Sequence, residues 1–129
     1  MISVEQEFLN TIAIEFHNNQ KVLNAIGDET RQAILLALIQ GPQKSGMRVG
    51  EIRVRTHLSR PAVSHHLKIL KDAQIISVRK EGTRNFYRLD AGSKLMLLKN
   101  LVKEIDKLFE HCEQATESQS GTNERDAFE

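Results

Sequence analysis

The sequence predicts a mainly α-helical fold with one small β-hairpin, and three observations carry that expectation. Apolar residues recur at helical spacing from Phe8 to Leu38, the period changes to two between Ile75 and Leu89, and helical spacing returns after Gly92. The chain has 129 residues, 40% apolar and 27% charged, which is the size and balance of one water-soluble globular domain.

Taken in order, residues 2–18 place Phe8, Leu9, Ile12 and Phe16 on one face of an amphipathic helix. Asn18-Asn19 interrupts it, and Val22, Leu23 and Ile26 begin a short second segment. Asp28 is suited to cap a third helix, because its carboxylate accepts from orphan N–H groups at the positive end of the dipole. That helix carries Ala33-Ile34-Leu35-Leu36-Ala37-Leu38-Ile39, apolar almost all round, so it is expected to be buried and central until Gly41-Pro42 stops it. After a polar loop at 43–46, Val49 to Arg55 reads as a short helix with Val49, Ile52 and Val54 inward. Alternation over 52–55 also permits a strand, and periodicity alone does not decide between them. The turn Thr56-His57-Leu58-Ser59 leads to a helix that Ser59 can cap, with Pro61 in the first turn where a missing N–H costs nothing.

From Ile75, residues Ile76, Val78 and Lys80 alternate with Ser77 and Arg79; beyond Glu81-Gly82-Thr83 the alternation resumes through Phe86 and Arg88. This is a hairpin turned at glycine. Gly92-Ser93 opens the last helix, with Ser93 as cap. Its positions 98, 105 and 112, with 101 and 108, form a heptad seam that 95, 102 and 109 widen. The expected organisation is a domain over 1–117 with flanking helices (1–26 and 92–117), and a disordered polar tail at 118–129. Phe8, Ile12 and Phe16 lie on the apolar face of the first helix, and Leu98, Leu101, Ile105, Leu108, Phe109 and Cys112 on the seam of the last.

The net charge of +1 conceals a strong asymmetry. Lys44 to Arg88 holds eleven Lys and Arg against three Asp and Glu, a net +8; the remainder holds seven against fourteen, a net −7. A basic middle with acidic ends is the footprint of a polyanion-binding module on a scaffold that avoids the polyanion.

Two helices across a tight turn, the second amphipathic and basic, followed at once by a basic hairpin, make a winged helix-turn-helix. On the second helix Val63, Leu67, Leu70 and Ala73 share the inward stripe. Arg60, Pro61, Ser64, His65, Lys68 and Lys71 face outward, a surface that suits the major groove of double-stranded DNA. Ser59 and Ala62 complete the candidate reading surface, since small residues let the backbone approach a groove. Arg60 can pair bidentately with guanine or clamp a phosphate, Ser64 and His65 can reach base edges or phosphates, and Lys68 suits a phosphate. Arg79, Lys80 and Arg84 on the hairpin complete the candidate DNA contacts, with Arg88 beside them. Any amphipathic surface helix exposes charge, which accounts for Lys68 and Lys71 but not for the small first turn Arg60-Pro61-Ala62-Val63-Ser64.

These residues resemble the ArsR-type bacterial winged-helix repressors. Gly27-Asp28-Glu29-Thr30-Arg31-Gln32-Ala33-Ile34-Leu35 is similar to their opening motif, Ser64-His65-His66-Leu67-Lys68-Ile69-Leu70 to their recognition helix, and residues 80–89 to their wing. The resemblance covers roughly residues 20–112. It implies a sequence-specific transcriptional regulator repressing from an inverted-repeat operator: a homodimer built from the flanking helices 1–26 and 92–117, with Phe8, Ile12, Phe16, Leu98, Leu101, Ile105, Leu108, Phe109 and Cys112 as candidate dimer contacts. Gln74 stands where the family usually has glycine, and His57 where glycine is common; a left-handed backbone kept at Gln74 costs about 1 kcal/mol.

The metal ligands of the family are missing. The helix at 49–55 has no cysteine, and of the carboxylate–histidine set of the last helix only His111 remains, with Gln114, Leu98 and Asn100 at the other places. No metal or other cofactor is expected, although His17, His111 and Cys112 at a dimer seam could form an atypical metal or redox site. The alternatives are control by an organic ligand or oxidant at that seam, or a winged-helix protein-interaction module. Catalysis is not expected, because the sequence has no glycine-rich phosphate loop and no nucleophile constellation. A lone cysteine, an acidic start and no apolar run of membrane-spanning length lead to the expectation of a cytoplasmic protein.

Overall fold

The computed structural model of the chain describes residues 2–117, so the tail expected to be disordered lies outside the described residues. Six helices and one hairpin follow in the order α1 (Val4–Asn18), α2 (Gln20–Ile26), α3 (Glu29–Gln40), α4 (Val49–Thr56), α5 (Arg60–Asp72), β1 (Ser77–Glu81), β2 (Arg84–Arg88) and α6 (Leu98–Glu117). Two compact units result: Asn19–Leu98, and α1 together with α6 from Lys99 on.

Local chemistry sets most boundaries. Asp28 caps α3 by accepting from the Arg31 N–H at 3.0 Å, and Ser59 caps α5 by accepting from the Ala62 N–H at 3.2 Å. The segment that admitted helix or strand is the helix α4, where the Glu51 carboxylate accepts from the Arg48 N–H at 3.2 Å. It ends at His57 in the left-handed region, φ 59°. Gln74, φ 60°, closes α5 in the same way. Its N–H donates to the Lys71 carbonyl and the Ile75 N–H to the Leu70 carbonyl, the two bonds of a Schellman motif, while Leu70 and Ile75 are buried. Both positions therefore keep the backbone that glycine would favour.

The core of the 19–98 unit joins Val22, Ile34, Leu38, Met47, Ile52, Leu67 and Ile75, all nearly or wholly inaccessible. Each buried side chain of this size contributes about 1.5–3 kcal/mol relative to exposure. α5 packs on α3 and α4 through Val63, Leu67 and Leu70, the stripe its periodicity picks out. Two inward assignments are corrected. Val54 is 75% exposed, because in a helix it lies on the opposite side from buried Ile52. α3 is buried on one side only: Ile34, Leu35, Ala37 and Leu38 are covered, while Leu36 and Ile39 are half exposed.

The hairpin pairs Ser77 with Arg88 through Glu81 with Arg84, leaving Gly82-Thr83 as a two-residue loop. Gly82, φ +63°, supplies the positive φ of a type II′ turn. Beyond the expected polar loop, Met47 forms a β-bridge to Tyr87, with reciprocal N–H···O bonds of 2.8 Å. Gly46 makes that approach possible: its φ is +77°, and a Cβ there would lie 2.7 Å from the Tyr87 carbonyl oxygen.

Ser93 caps a 3-10 turn, Lys94–Leu97, rather than α6 itself, which begins at Leu98. Its hydroxyl also donates to the Ile75 carbonyl at 2.5 Å. In the second unit the Phe8 and His111 rings meet at 5.5 Å. No helix among the described residues is long and apolar enough to cross a membrane.

Candidate nucleic-acid interface

α5 divides cleanly. Val63, Leu67 and Leu70 are at most 1% exposed, whereas Arg60, Pro61, Ser64, His65, Lys68 and Lys71 are all exposed and Ala62 is half-buried. The long polar side chains of the outward face have no hydrogen bond or ion pair among the described residues, so they stand available. Ser59 is exposed, but its hydroxyl is committed to the cap, which leaves its role near a nucleic acid to its backbone and its position.

The wing arginines differ from one another. Arg79 is held three ways: Nη1 lies 3.2 Å from Glu81, Nη2 donates to the Ser45 carbonyl at 3.1 Å, and its guanidinium sits 4.8 Å over the Phe86 ring. Arg88 donates to the Lys44 carbonyl at 3.3 Å and pairs with Asp90 at 3.6 Å. These contacts brace the hairpin against the 44–46 loop. Lys80 and Arg84 are exposed and have no side-chain partner among the described residues. Periodicity put all four in one basic cluster; only their distances separate bracing residues from free ones.

His66, which the sequence pattern does not mark as a site residue, has a defined place in the structure. This ring is half-buried, and its Nδ1 lies 3.3 Å from Nη1 of Arg31 on α3. The same guanidinium donates through Nε to the Ala25 carbonyl at 2.6 Å and through Nη2 to the Asn24 carbonyl at 3.4 Å. Nearby, the Arg31 backbone N–H holds the Asp28 carboxyl below its ordinary value; partial burial opposes this, and the charge of Arg31 assists. Lys44, Arg48, Arg53 and Arg55 also went unassigned; they are exposed around α4, and the basic charge of residues 44–88 was their only signal.

Of the dimer candidates, Leu101 is buried; Phe8, Ile12, Leu98, Ile105, Leu108 and Cys112 are half-buried; and Phe16 and Phe109 are exposed. Leu9, Ile14 and Val102 add further exposed apolar surface to α1 and α6. The described residues contain no group of three or more His, Cys, Asp or Glu able to hold a metal ion.

A reading helix with one bare polar face, followed by a basic wing, defines a DNA-binding winged helix-turn-helix regulator. Residues 28–78 match the family model described as "Bacterial regulatory protein, arsR family". The chain belongs to the ArsR family of transcriptional regulators, which are not enzymes. Among relatives it is 41% identical over 75 residues to the HTH-type transcriptional regulator Rv2034 of Mycobacterium tuberculosis, a match covering 58% of this chain and 66% of that one. It is 41% identical over 69 residues to the transcriptional repressor SdpR of Bacillus subtilis, covering 54% and 72%. A similar solved structure is the homodimeric winged helix-turn-helix DNA-binding domain of Mb0332 from Mycobacterium bovis, with 31% identity, TM-score 0.54 and 77% and 88% of the two chains covered.

Proposed function

We propose that this regulator is a cytoplasmic repressor that binds an inverted-repeat operator as a homodimer. The observation that carries the reading is the bare outward face of α5 over a fully buried inward one. A rigid helix with Arg60, Ser64 and His65 at its leading end suits base edges, and Lys68, Lys80 and Arg84 suit the flanking phosphates. The homodimeric state of the Mb0332 domain and the repressor role of SdpR support the assembly and the direction of control. The dimer seam is assigned to the apolar surface of α1 and α6 around Phe16, Val102 and Phe109.

Selection of bound duplexes from a genomic fragment library tests this reading. The expected result is a two-fold symmetric motif with half-sites about 34–36 Å apart, one helical turn or a multiple. Arg60→Ala or His65→Ala should relax preference at particular base pairs by about 1–3 kcal/mol per contact. Duplex binding that is undetectable or independent of salt would replace this reading with the protein-interaction one.

A further inference from the structure

Arginine carries five N–H donors and no acceptor, so the 3.3 Å contact between Arg31 Nη1 and His66 Nδ1 is a hydrogen bond only if that ring nitrogen is bare. His66 is then neutral, with its proton on Nε2. The ring so fixed meets the ring of His65 edge-on, with centroids 5.2 Å apart and planes at 63°. His65 is exposed on the outward face of α5, whereas the adjacent His66 is half-buried.

We infer that Arg31 is a positioning residue for DNA reading, acting through the tautomer of His66 on the orientation of His65. Three acceptors converge on one guanidinium: the Ala25 and Asn24 carbonyls at the end of α2 and His66 on α5. Arg31 itself sits in the first turn of α3, where its backbone N–H is tied to Asp28. The fork is thus anchored at both ends, and a single planar group sets α5 against α2 and α3. A lysine supplies the charge but cannot serve three acceptors in that fixed fork. His65, a flat ring with two distinct nitrogens, presents a different edge to the groove for each orientation, so holding it still favours discrimination between bases. The inference rests on the proposed base-reading role of His65.

The test combines long-range 1H–15N spectra of the histidine rings with duplex selection, on wild type, Arg31→Lys, Arg31→Met, His66→Gln and His65→Ala. In wild type His66 should appear as the Nε2–H tautomer, and Arg31→Met should turn it into a mixture. His66→Gln preserves an acceptor for Arg31 and so keeps the fold even if Arg31→Met does not, but it removes the ring edge. It should lose about three- to tenfold of the discrimination at the base pair that His65→Ala relaxes, and leave other positions unchanged. Arg31→Met, where it folds, should lose discrimination at that same base pair, and Arg31→Lys should restore only part of it. An Nδ1–H tautomer in wild type, or a folded His66→Gln with full discrimination, overturns the inference. If His65→Ala leaves every base preference intact while His66 stays Nε2–H, the base-reading role fails and takes the DNA half of the inference with it. The Arg31–His66 bond would stand in that case.

Discussion

Braced and free cations on the wing should differ in their effect on the salt dependence of DNA binding. Each phosphate neutralised by a protein cation contributes about −0.9 to the slope of log affinity against log salt on B-form DNA. In the proposed homodimer every substitution occurs twice, so removing one phosphate contact should flatten the slope by about 1.8. Lys80 and Arg84 are exposed and have no side-chain partner among the described residues, so Lys80→Ala and Arg84→Ala should each produce that change with little loss of stability. Arg79 is engaged with Glu81, the Ser45 carbonyl and the Phe86 ring. Arg79→Ala should therefore leave the slope near its wild-type value and instead destabilise the hairpin by about 1 kcal/mol, the scale of one net hydrogen bond with an exposed cation–π contact. Fluorescence anisotropy with operator and unrelated duplexes at several salt concentrations reads the slopes, and urea unfolding reads the stability. Equal flattening by Arg79→Ala and Arg84→Ala, with unchanged unfolding, would refute the division of the wing into bracing and free cations.

Other substitutions probe the backbone and the caps. Gln74→Gly should stabilise the fold by about 0.5–1 kcal/mol, because relief of the left-handed strain exceeds the extra entropy of an unfolded glycine; Gln74→Ala, which keeps a Cβ, should gain nothing in the same urea midpoint. Gly46→Ala should cost about 2 kcal/mol or more, since φ +77° and the Tyr87 carbonyl 2.7 Å from the added carbon both oppose it; calorimetry should show the drop. Asp28 has a depressed carboxyl pKa in the fold, so its contribution is complete above the unfolded-state value of about 3.9 and is lost as pH falls through the lower folded value. Asp28→Asn retains a capping oxygen without the charge, and its stability should be flatter than wild type across that acidic window in pH-dependent unfolding.

The features legible from sequence are those that act within a few residues. Asp28 and Ser59 cap the helices that follow them because a side-chain oxygen needs only an N–H three positions on. The two faces of α5 follow from the 3.6-residue period, and the hairpin from alternation around Gly82. His57 and Gln74 carry positive φ at the two places where the family resemblance leads one to expect glycine.

Tertiary structure decided what periodicity cannot address. Residues 33–39 of α3 are apolar almost all round, so nothing in their own pattern says that Leu36 and Ile39 face outward; the packing of α5 and α4 against the other side does. Met47 pairs with Tyr87, and Arg31 meets His66, across separations of forty and thirty-five positions. The basic charge of residues 44–88 marked the surface from sequence alone, because charge is a property of composition. Which of those cations are free to meet a phosphate depends on the carboxylates and carbonyls that the fold brings within about 3–4 Å, and only the packed chain sets those distances.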